Sequence, residues 1–355
     1  MKISEIDKNF AKEEMIDGGY DRYAIPHPSF TLKGVFYEEE AACFARMPSA
    51  VAEKVSDGVL TLSKHTAGGR LCFATDSSGL KIEVAYKDLW IMSHMPLTGS
   101  SGFSLFESTE EGENFICNLM PISTDKQGFI AEAKLKGGKM RKYILYFPLY
   151  NDVKSLAISL NKGATVYPIN PYRDKKPILY YGSSITQGGC ASRPDTCYQA
   201  LICKKNRIDF INLGFSGSAK GEEDMVDYLA SIDCSIFVCD YDHNAPTAEY
   251  LQNTHFRLYK RYREKRPKTP ILFITKPDLR KDAEGDLRYR IIKNTYHKAK
   301  KLGDSLVYFL SGKTFYGKNA PAEYAVDGTH PTDYGFRRMA EVIYKKLIRI
   351  DEENK

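Results

Sequence analysis

The chain has 355 residues, of which 43% are hydrophobic and 27% are charged, and its formal net charge is +6 at pH 7. This ordinary globular composition argues against a largely disordered chain, and so small a positive surplus does not call for a nucleic-acid partner. Because a single domain usually runs to roughly 100–200 residues, we expect two domains.

The first half of the chain has the pattern of short antiparallel strands. From about residue 30 to residue 165, apolar and polar residues alternate, and glycine pairs such as Gly68-Gly69 and Gly137-Gly138 interrupt the runs. A period of two with regular turns predicts a β-sandwich, jelly-roll-like domain, which we assign to residues 1–165. The stretch 39–55, EEAACFARMPSAVAEKV, could be a short helix or a loop over the sandwich.

A different pattern follows a proline-rich connector. Residues 163–177 hold three prolines and few apolar side chains, which is typical of a linker. Compact apolar runs then begin near residues 178, 209, 235, 271 and 306, with helix-like segments between them. Buried strands that alternate with helices predict a parallel sheet covered on both faces. We therefore expect a three-layer, flavodoxin-like α/β/α domain over residues 176–355.

Polar and glycine clusters follow three of these predicted strands and precede the last predicted helix. In open parallel sheets, sites form at the carboxyl ends of the strands, so these clusters are expected to converge. The clusters are residues 181–189 (YGSSITQGG), 212–217 (NLGFSG), 240–244 (DYDHN) and 326–331 (VDGTHP).

The residue types in these clusters suit acyl transfer. A serine at a strand-to-helix turn, such as Ser184, needs a base to become a nucleophile at neutral pH. His330 could take the serine proton, and Asp327 could hold the imidazole in the required tautomer. The negative oxygen that develops on the substrate needs hydrogen-bond donors, which the backbone of Gly217 and the side-chain amide of Asn244 could supply.

The four clusters resemble the motif blocks of the SGNH (GDSL-type) hydrolase superfamily of esterases and lipases. The matching residues stand in the family's order, Ser184 in GSSITQGG, Gly217 in NLGFSG, Asn244 in YDHN, and Asp327 with His330 in DGTHP. The resemblance implies that the serine is the nucleophile of a catalytic triad. It also implies that the serine N–H, the glycine N–H and the asparagine amide form the oxyanion hole.

Two blocks depart from the family's usual pattern. The usual Gly-Asp-Ser is here Gly182-Ser183-Ser184, which makes Ser183 a rival nucleophile. The usual Gly-x-Asn-Asp is here part of residues 241–246, YDHNAP, so the contacts of that loop do not carry over.

The N-terminal half is similar to the β-sandwich that precedes the catalytic domain in one branch of these esterases. The similar stretches include HTAGGRLCFATD and FPLYNDVKSLAISLNKGA, and the branch's Gly-x-Asp-Leu-Tyr motif is here residues 102–106, GFSLF. Branches with such a domain include carbohydrate O-acetyl esterases. The resemblance therefore implies a carbohydrate ester as the substrate.

Several side chains outside the four blocks have two interpretations. His255 and His297 lie on predicted helices, where we expect surface positions. His65 and His94 lie in turn-like stretches of the β-domain, and either could face the substrate. Trp90 could stack on a sugar, or it could belong to the core as a strand residue.

The cysteines and the N-terminus bear on the cellular compartment. No Cys-x-x-Cys pair occurs among the eight cysteines, which excludes zinc-ribbon and thioredoxin-like motifs. Residues 1–15 lack the apolar core of a secretory signal, and no stretch approaches the roughly 18 apolar residues of a membrane span. We expect a cytoplasmic protein with reduced cysteines and no membrane contact.

These observations predict a serine esterase that removes short acyl groups, above all O-acetyl groups, from a carbohydrate or small glycoside through an acyl-enzyme. The expected partner is a small-molecule or oligosaccharide acyl ester, with no nucleic acid, no metal and no organic cofactor. A homo-oligomer is left open. The alternatives are an acyltransferase on the same fold, a general short-chain lipase or esterase, and a non-catalytic carbohydrate-binding protein.

Overall fold

The computed structural model describes residues 19–124, 126–277, 283–317 and 322–354. The stretch 1–15, on which the expectation of no secretory signal depends, lies outside the described residues. In the N-terminal half, short strands rich in Tyr, Phe, Leu and Ile alternate with turns, as β-propensity favours. Its strands are β1 (Tyr20–Ile25), β2 (Thr31–Lys33), β3 (Phe36–Glu38), β4 (Cys43–Ala45), β5 (Arg70–Thr75), β6 (Gly79–Tyr86), β7 (Phe103–Ser108), β8 (Glu113–Leu119), β9 (Gly128–Lys134), β10 (Arg141–Tyr146), β11 (Val153–Asn161) and β12 (Val166–Pro168).

Two antiparallel sheets form the predicted sandwich. One has the strand order β1-β11-β6-β9, and the other has the order β12-β5-β10-β7-β8 with β2 paired to β5. Apolar side chains from both sheets, such as Ile82 and Leu156 from one and Phe73 and Leu105 from the other, pack into one core. The sandwich is thus confirmed. The predicted connector 163–177 needs a correction, because β12 adds to the second sheet within it.

Short helices interrupt the strands of the N-terminal half. They are α1 (Ser49–Val55), α2 (Asp57–Ser63) and α3 (Leu97–Ser100). The stretch that could be a helix or a loop therefore contains β4 and α1. Helices α1 and α2 pack with the C-terminal half, since Ala52 and Val59 share a core cluster with Leu213 and Met225.

The C-terminal half is the predicted α/β/α unit. Its five strands are parallel and have the order β14-β13-β15-β16-β17, which is flavodoxin-like. Near-continuous apolar runs form these strands because helices cover both faces of the sheet. The strands are β13 (Ile178–Gly182), β14 (Phe210–Gly214), β15 (Ile236–Asp240), β16 (Ile271–Ile274) and β17 (Val307–Leu310).

Six α-helices complete the described part of this half. They follow the strands in the alternation that the sequence predicts. His297 is exposed on its helix as expected, whereas the expected surface position of His255 is wrong. Its helix turns His255 toward the sheet, where the ring packs on Tyr241 and Phe273. The helices are α4 (Ser184–Gln187), α5 (Tyr198–Asn206), α6 (Glu223–Ser231), α7 (Ala248–Lys265), α8 (Ala283–Lys301) and α9 (Asp333–Glu353).

The two halves are packed together through a buried interface. Cys72 and Ile144 of the sandwich share a core cluster with Tyr180 and Phe210 of the α/β sheet. Arg70 is fully buried, and its guanidinium lies 3.1 Å from the Asp209 carboxylate. A buried charge is tolerated only when it is paired and hydrogen-bonded, so this pair ties β5 to the start of β14.

Candidate active site

Ser184 stands at the turn from β13 into α4, at the carboxyl end of the strand between β14 and β15. Its Oγ lies 2.8 Å from Nε2 of His330. Ser183, the rival nucleophile, is instead the N-cap of α4. Its buried Oγ accepts a hydrogen bond from the N–H of Ile185 at 3.2 Å. The structure thus brings Ser184, and not Ser183, to the histidine.

The loop before α9 carries Asp327 and His330. One oxygen of the Asp327 carboxylate accepts hydrogen bonds from the N–H groups of Thr329 and His330, at 2.9 and 2.8 Å. The other oxygen lies 2.7 Å from Nδ1 of His330. Gly328 has φ +79°, a conformation that strains other residues, so the tight loop requires a glycine there.

The charge state of Asp327 fixes the tautomer of His330. Burial alone would raise the pKa of this carboxyl, but the backbone N–H of His330, its imidazole and the N–H of Thr329 outweigh burial and hold the pKa well below its usual range. A carboxylate can only accept, so Nδ1 of the neutral imidazole carries the proton. The lone pair of Nε2 therefore faces the Ser184 hydroxyl, which is the arrangement a general base needs.

Asn244 contacts the loop that follows β14 and carries Gly217. The amide of Asn244 donates a hydrogen bond of 2.7 Å to the carbonyl of Phe215, two residues before Gly217. The N–H of Phe215 donates to the carbonyl of Gly182, which fastens this loop to the end of β13, two residues before Ser184. Within the described residues, the N–H groups of Ser184 and Gly217 donate no hydrogen bond. These donors are thus available to a ligand.

A buried acid lies beneath the site at the end of β15. Burial, followed by the charge of neighbouring Asp242, raises the pKa of Asp240 well above its usual range. Asp240 also accepts a hydrogen bond of 3.2 Å from the Thr186 hydroxyl. The raised pKa disfavours a negative charge at Asp240, which contacts the helix that begins at Ser184.

The N-terminal half contributes side chains that the four sequence blocks do not include. The hydroxyl of buried Tyr150 donates to the carbonyl of Ser184 at 3.3 Å. Nε2 of Gln187 lies 3.2 Å from Nδ1 of His65, and its Oε1 accepts the N–H of Ser216 at 2.9 Å. His65 and Tyr150 thus support the turn of Ser184 and the loop of Gly217 from the sandwich side.

His65 is held neutral at this contact. Burial first, and the nearby Arg46 charge second, lower its pKa to about 3. Because the amide nitrogen of Gln187 can only donate, Nδ1 of His65 is the acceptor. Gln187 lies in the GSSITQGG block, and its spacing of three residues from Ser184 could have indicated a site position. His65, which the sequence indicates as a side chain that could face the substrate, is buried and contacts Gln187 instead, whereas Tyr150 has no local signal in the sequence.

The two remaining expectations concern Trp90 and His94. Trp90 lies after β6 rather than within a strand and is 48% exposed, so the core interpretation is wrong. His94 is exposed, and its ring centroid lies 6.0 Å from that of His330. The sandwich domain therefore reaches the edge of the site.

Two observations concern metal ions and membranes. Within the part of the chain that the structure describes, no group of three or more His, Cys, Asp or Glu side chains is placed to hold a metal ion. Each described helix is too short or too polar to cross a bilayer.

Comparisons with known proteins match both halves of the chain. Residues 175–349 match the model of the GDSL-like lipase/acylhydrolase family, and residues 23–166 match the model described as the N-terminus of Esterase_SGNH_hydro-type. No curated protein matches the chain at a significant level.

Among solved structures, a chain from Bacteroides ovatus assigned as a GDSL-like lipase is 26% identical, with a TM-score of 0.84 over 94% of this chain and 98% of that one. Salicylyl-acyltransferase SsfX3 from a tetracycline biosynthetic pathway is 17% identical, with a TM-score of 0.79 over 94% of this chain and 98% of that one. An acetyl xylan esterase, Est2A from Butyrivibrio proteoclasticus, is 13% identical, with a TM-score of 0.61 over 92% of this chain and 97% of that one.

The latter two likenesses, below 25% identity, concern the fold alone. The family models match in the same order as the two structural halves, and the catalytic-half model includes the loops that carry Ser184 and His330. The chain therefore belongs to the GDSL-like lipase/acylhydrolase family of carboxylic ester hydrolases, in the branch that carries this N-terminal domain.

Proposed function

We propose that the protein is a serine esterase that removes short acyl groups, above all acetyl, from a carbohydrate or small glycoside. The observation that carries the proposal is the continuous hydrogen-bonded line from the Ser184 hydroxyl to His330, 2.8 Å, and from His330 to the Asp327 carboxylate, 2.7 Å. These distances match those of a nucleophile, a base and an orienting acid.

In the first step, Oγ of Ser184 attacks the ester carbonyl carbon while its proton passes to Nε2 of His330. The carbonyl oxygen becomes negative and is held by the N–H groups of Ser184 and Gly217 and by the Asn244 amide. The tetrahedral species then collapses, the C–O bond to the alcohol breaks, and His330 returns the proton to the leaving oxygen. The products are a free alcohol and an acyl-Ser184 ester.

In the second step, a water molecule gives a proton to His330 as its oxygen attacks the acyl carbon. The bond to Oγ of Ser184 breaks, the serine recovers its proton from His330, and the acid leaves. The charge of the imidazolium that forms in each step is stabilised by Asp327, which stays ionised because its pKa is low.

The similar structures support a carbohydrate as the alcohol portion of the substrate. They include an acetyl xylan esterase and a carbohydrate esterase of family two in complex with cellohexaose, which supports a carbohydrate alcohol. Salicylyl-acyltransferase SsfX3 supports the second candidate, an acyltransferase in which an alcohol replaces water in the second step. All eight cysteines are free thiols, which supports a reducing, cytoplasmic compartment.

The test compares wild type, Ser184→Ala and Ser183→Ala in the hydrolysis of p-nitrophenyl acetate. We expect the Ser184 variant to lose at least about 10³-fold in kcat, because no other group can carry the acyl intermediate. Ser183→Ala is the matched control, and it should keep activity within about tenfold with an unchanged circular dichroism spectrum. An inert wild type, or full activity in the Ser184 variant, contradicts the proposal.

The same enzyme preparation separates the two candidates. Acetylated methyl xylopyranoside is incubated with the wild type in water and in water with added methanol. Acetic acid as the main product in both supports the esterase, whereas methyl acetate as the main product with methanol supports the acyltransferase.

A further inference from the structure

The segment of residues 87–96, which follows β6, brings the sandwich domain to the edge of the active site. At its C-terminal end, the His94 ring lies 6.0 Å from the ring of His330, with 46° between their planes. Near its start, the Trp90 ring is almost perpendicular to the His65 ring, with 88° between the planes and 5.4 Å between the centroids. The segment thus contacts His330 at one end and His65, which contacts Gln187, at the other.

Trp90 leaves much of its indole in contact with water. Trp90, the one tryptophan of the chain, is 48% exposed. A large aromatic side chain at the surface forgoes the free energy of burial, so folding does not account for its place. Exposed aromatic surface at the rim of a catalytic site is typical of a binding surface.

The backbone of Trp90 is held in place before any ligand arrives. Asn151, which is 1% exposed, accepts the Trp90 N–H at 2.7 Å and donates to the Trp90 carbonyl at 3.2 Å. The same amide donates to the carbonyl of Ser100 and the hydroxyl of Ser101, at 3.1 and 2.9 Å. A buried amide that satisfies both backbone groups of one exposed residue reduces the entropy lost when that residue binds a ligand.

The chemistry of His330 indicates that the segment lies on the alcohol side of the substrate and not on the acyl side. In ester cleavage, this imidazole returns its proton to the leaving oxygen, so the alcohol portion of the substrate must lie beside it. His94 is the ring that flanks His330, and Trp90 lies four residues before it on the same segment. The acyl group, in contrast, extends from the carbon that Ser184 attacks.

We infer that Trp90 is the stacking platform of an alcohol subsite, which takes the apolar face of a pyranose ring in an O-acylated glycoside. The inference rests on the proposed function, and it adds the residue that selects the alcohol. The C–H groups on one face of a pyranose carry partial positive charge, and they pack on the electron-rich face of an indole.

The experiment varies the alcohol and the acyl group independently in wild type, Trp90→Ala and Trp90→Phe. The alcohol series holds acetyl constant and compares vinyl acetate with acetylated methyl xylopyranoside. The acyl series holds vinyl alcohol constant and compares vinyl acetate with vinyl butyrate. Ile122→Ala, at a residue that is 82% exposed elsewhere on the sandwich domain, is the surface control.

We expect Trp90→Ala to raise KM for the acetylated pyranoside about tenfold while kcat/KM for vinyl acetate changes less than twofold. Trp90→Phe should lie between wild type and the alanine variant, and Ile122→Ala should match wild type on all three esters. An equal loss on the pyranoside and on vinyl acetate overturns the inference, because it indicates a structural role. A changed preference between acetate and butyrate also overturns it, because it places Trp90 on the acyl side.

Failure of the proposed function has a different signature. If wild type hydrolyses none of the three esters, the esterase itself is wrong. If wild type hydrolyses them and the Trp90 variants show no selective loss on the pyranoside, the proposed esterase activity is supported and only the inferred alcohol subsite is wrong.

Discussion

His255 is a base that folding keeps uncharged. Its ring packs on α7 between Tyr241 and Phe273, at centroid distances of 5.6 and 4.7 Å, and burial lowers its pKa to about 3. In an unfolded chain, a histidine has a pKa of about 6.5. Between these two values the unfolded state binds a proton that the folded state does not. The contribution of His255 to stability is therefore fully present above pH 6.5 and decreases as the pH falls toward 3.

We expect His255→Phe, which keeps an aromatic ring in the stack, to weaken this pH dependence. Between pH 7 and pH 5, wild type should lose about 2 kcal/mol more of its free energy of unfolding than the variant, because each pH unit below 6.5 is worth about 1.4 kcal/mol for one such group. Urea denaturation of both proteins at both pH values measures the difference.

The control for this experiment is His297→Phe, at an exposed histidine of α8. Its pH dependence should equal that of wild type. Asp242, whose pKa burial raises to about 6, acts in the opposite direction as the pH falls, but it is present in every variant and cancels in the comparison. Equal losses in wild type and His255→Phe would show that His255 is not held neutral by the fold.

At the scale of elements, Arg46 joins the helices of the N-terminal half to the strand before the Gly217 loop. It follows β4, is 3% exposed, and its guanidinium donates to four backbone carbonyls. One of these, Leu62 at 2.7 Å, lies in the last turn of α2, and another, His65 at 2.6 Å, follows that helix. The other two belong to β14, Asn212 at 2.9 Å and Gly214 at 2.8 Å. Burial lowers the pKa of Arg46 to about 9, which still leaves it charged at neutral pH.

We expect Arg46→Met to reduce the free energy of unfolding by about 3–5 kcal/mol, because buried carbonyls lose their donor while the space stays filled. Arg46→Lys should be intermediate, since an ammonium cannot donate in the planar fork that reaches both elements. Chemical denaturation at pH 7 measures both changes. Arg22→Met, at an exposed arginine paired with Glu83, is the control and should cost less than about 1 kcal/mol. A similarly small cost for Arg46→Met would show that the bridge is dispensable.

The elements that the sequence could predict are those whose pattern is local. The strands β13 to β17 are visible in the sequence as compact apolar runs. Ser184 lies in the turn that ends the first of these runs, and His330 lies in the loop before the last helix. Arg46 and Tyr150 could not be predicted, because their role depends on which distant strand lies against them. The burial of His255 could not be predicted either, since one polar residue on an amphipathic helix can face either way.

At the scale of the whole molecule, the sandwich has a core formed by the N-terminal half alone, whereas the core of the α/β unit is completed by N-terminal residues. The sandwich cluster draws its fully buried residues from the N-terminal half alone, whereas both clusters that cover the α/β sheet include N-terminal residues. On one face these are residues such as Ile144 and Tyr146, and on the other they include Val59 and Leu62. Removing the first half would therefore expose apolar surface on both faces of the catalytic sheet.

The consequence is that the catalytic half depends on its neighbour to fold. We expect a fragment of residues 175–355 to bind the dye ANS strongly and to show no cooperative thermal transition, because its sheet lacks part of the cover on both faces and Asp209 loses the charge of Arg70. The full chain should unfold in one calorimetric transition whose measured and van't Hoff enthalpies agree.

A fragment that unfolds cooperatively within about 5 °C of the full chain would contradict this, because the shared clusters would then contribute little. In that event the sandwich would serve the site only through the contacts of His65, Trp90 and Tyr150, and the two halves could evolve separately.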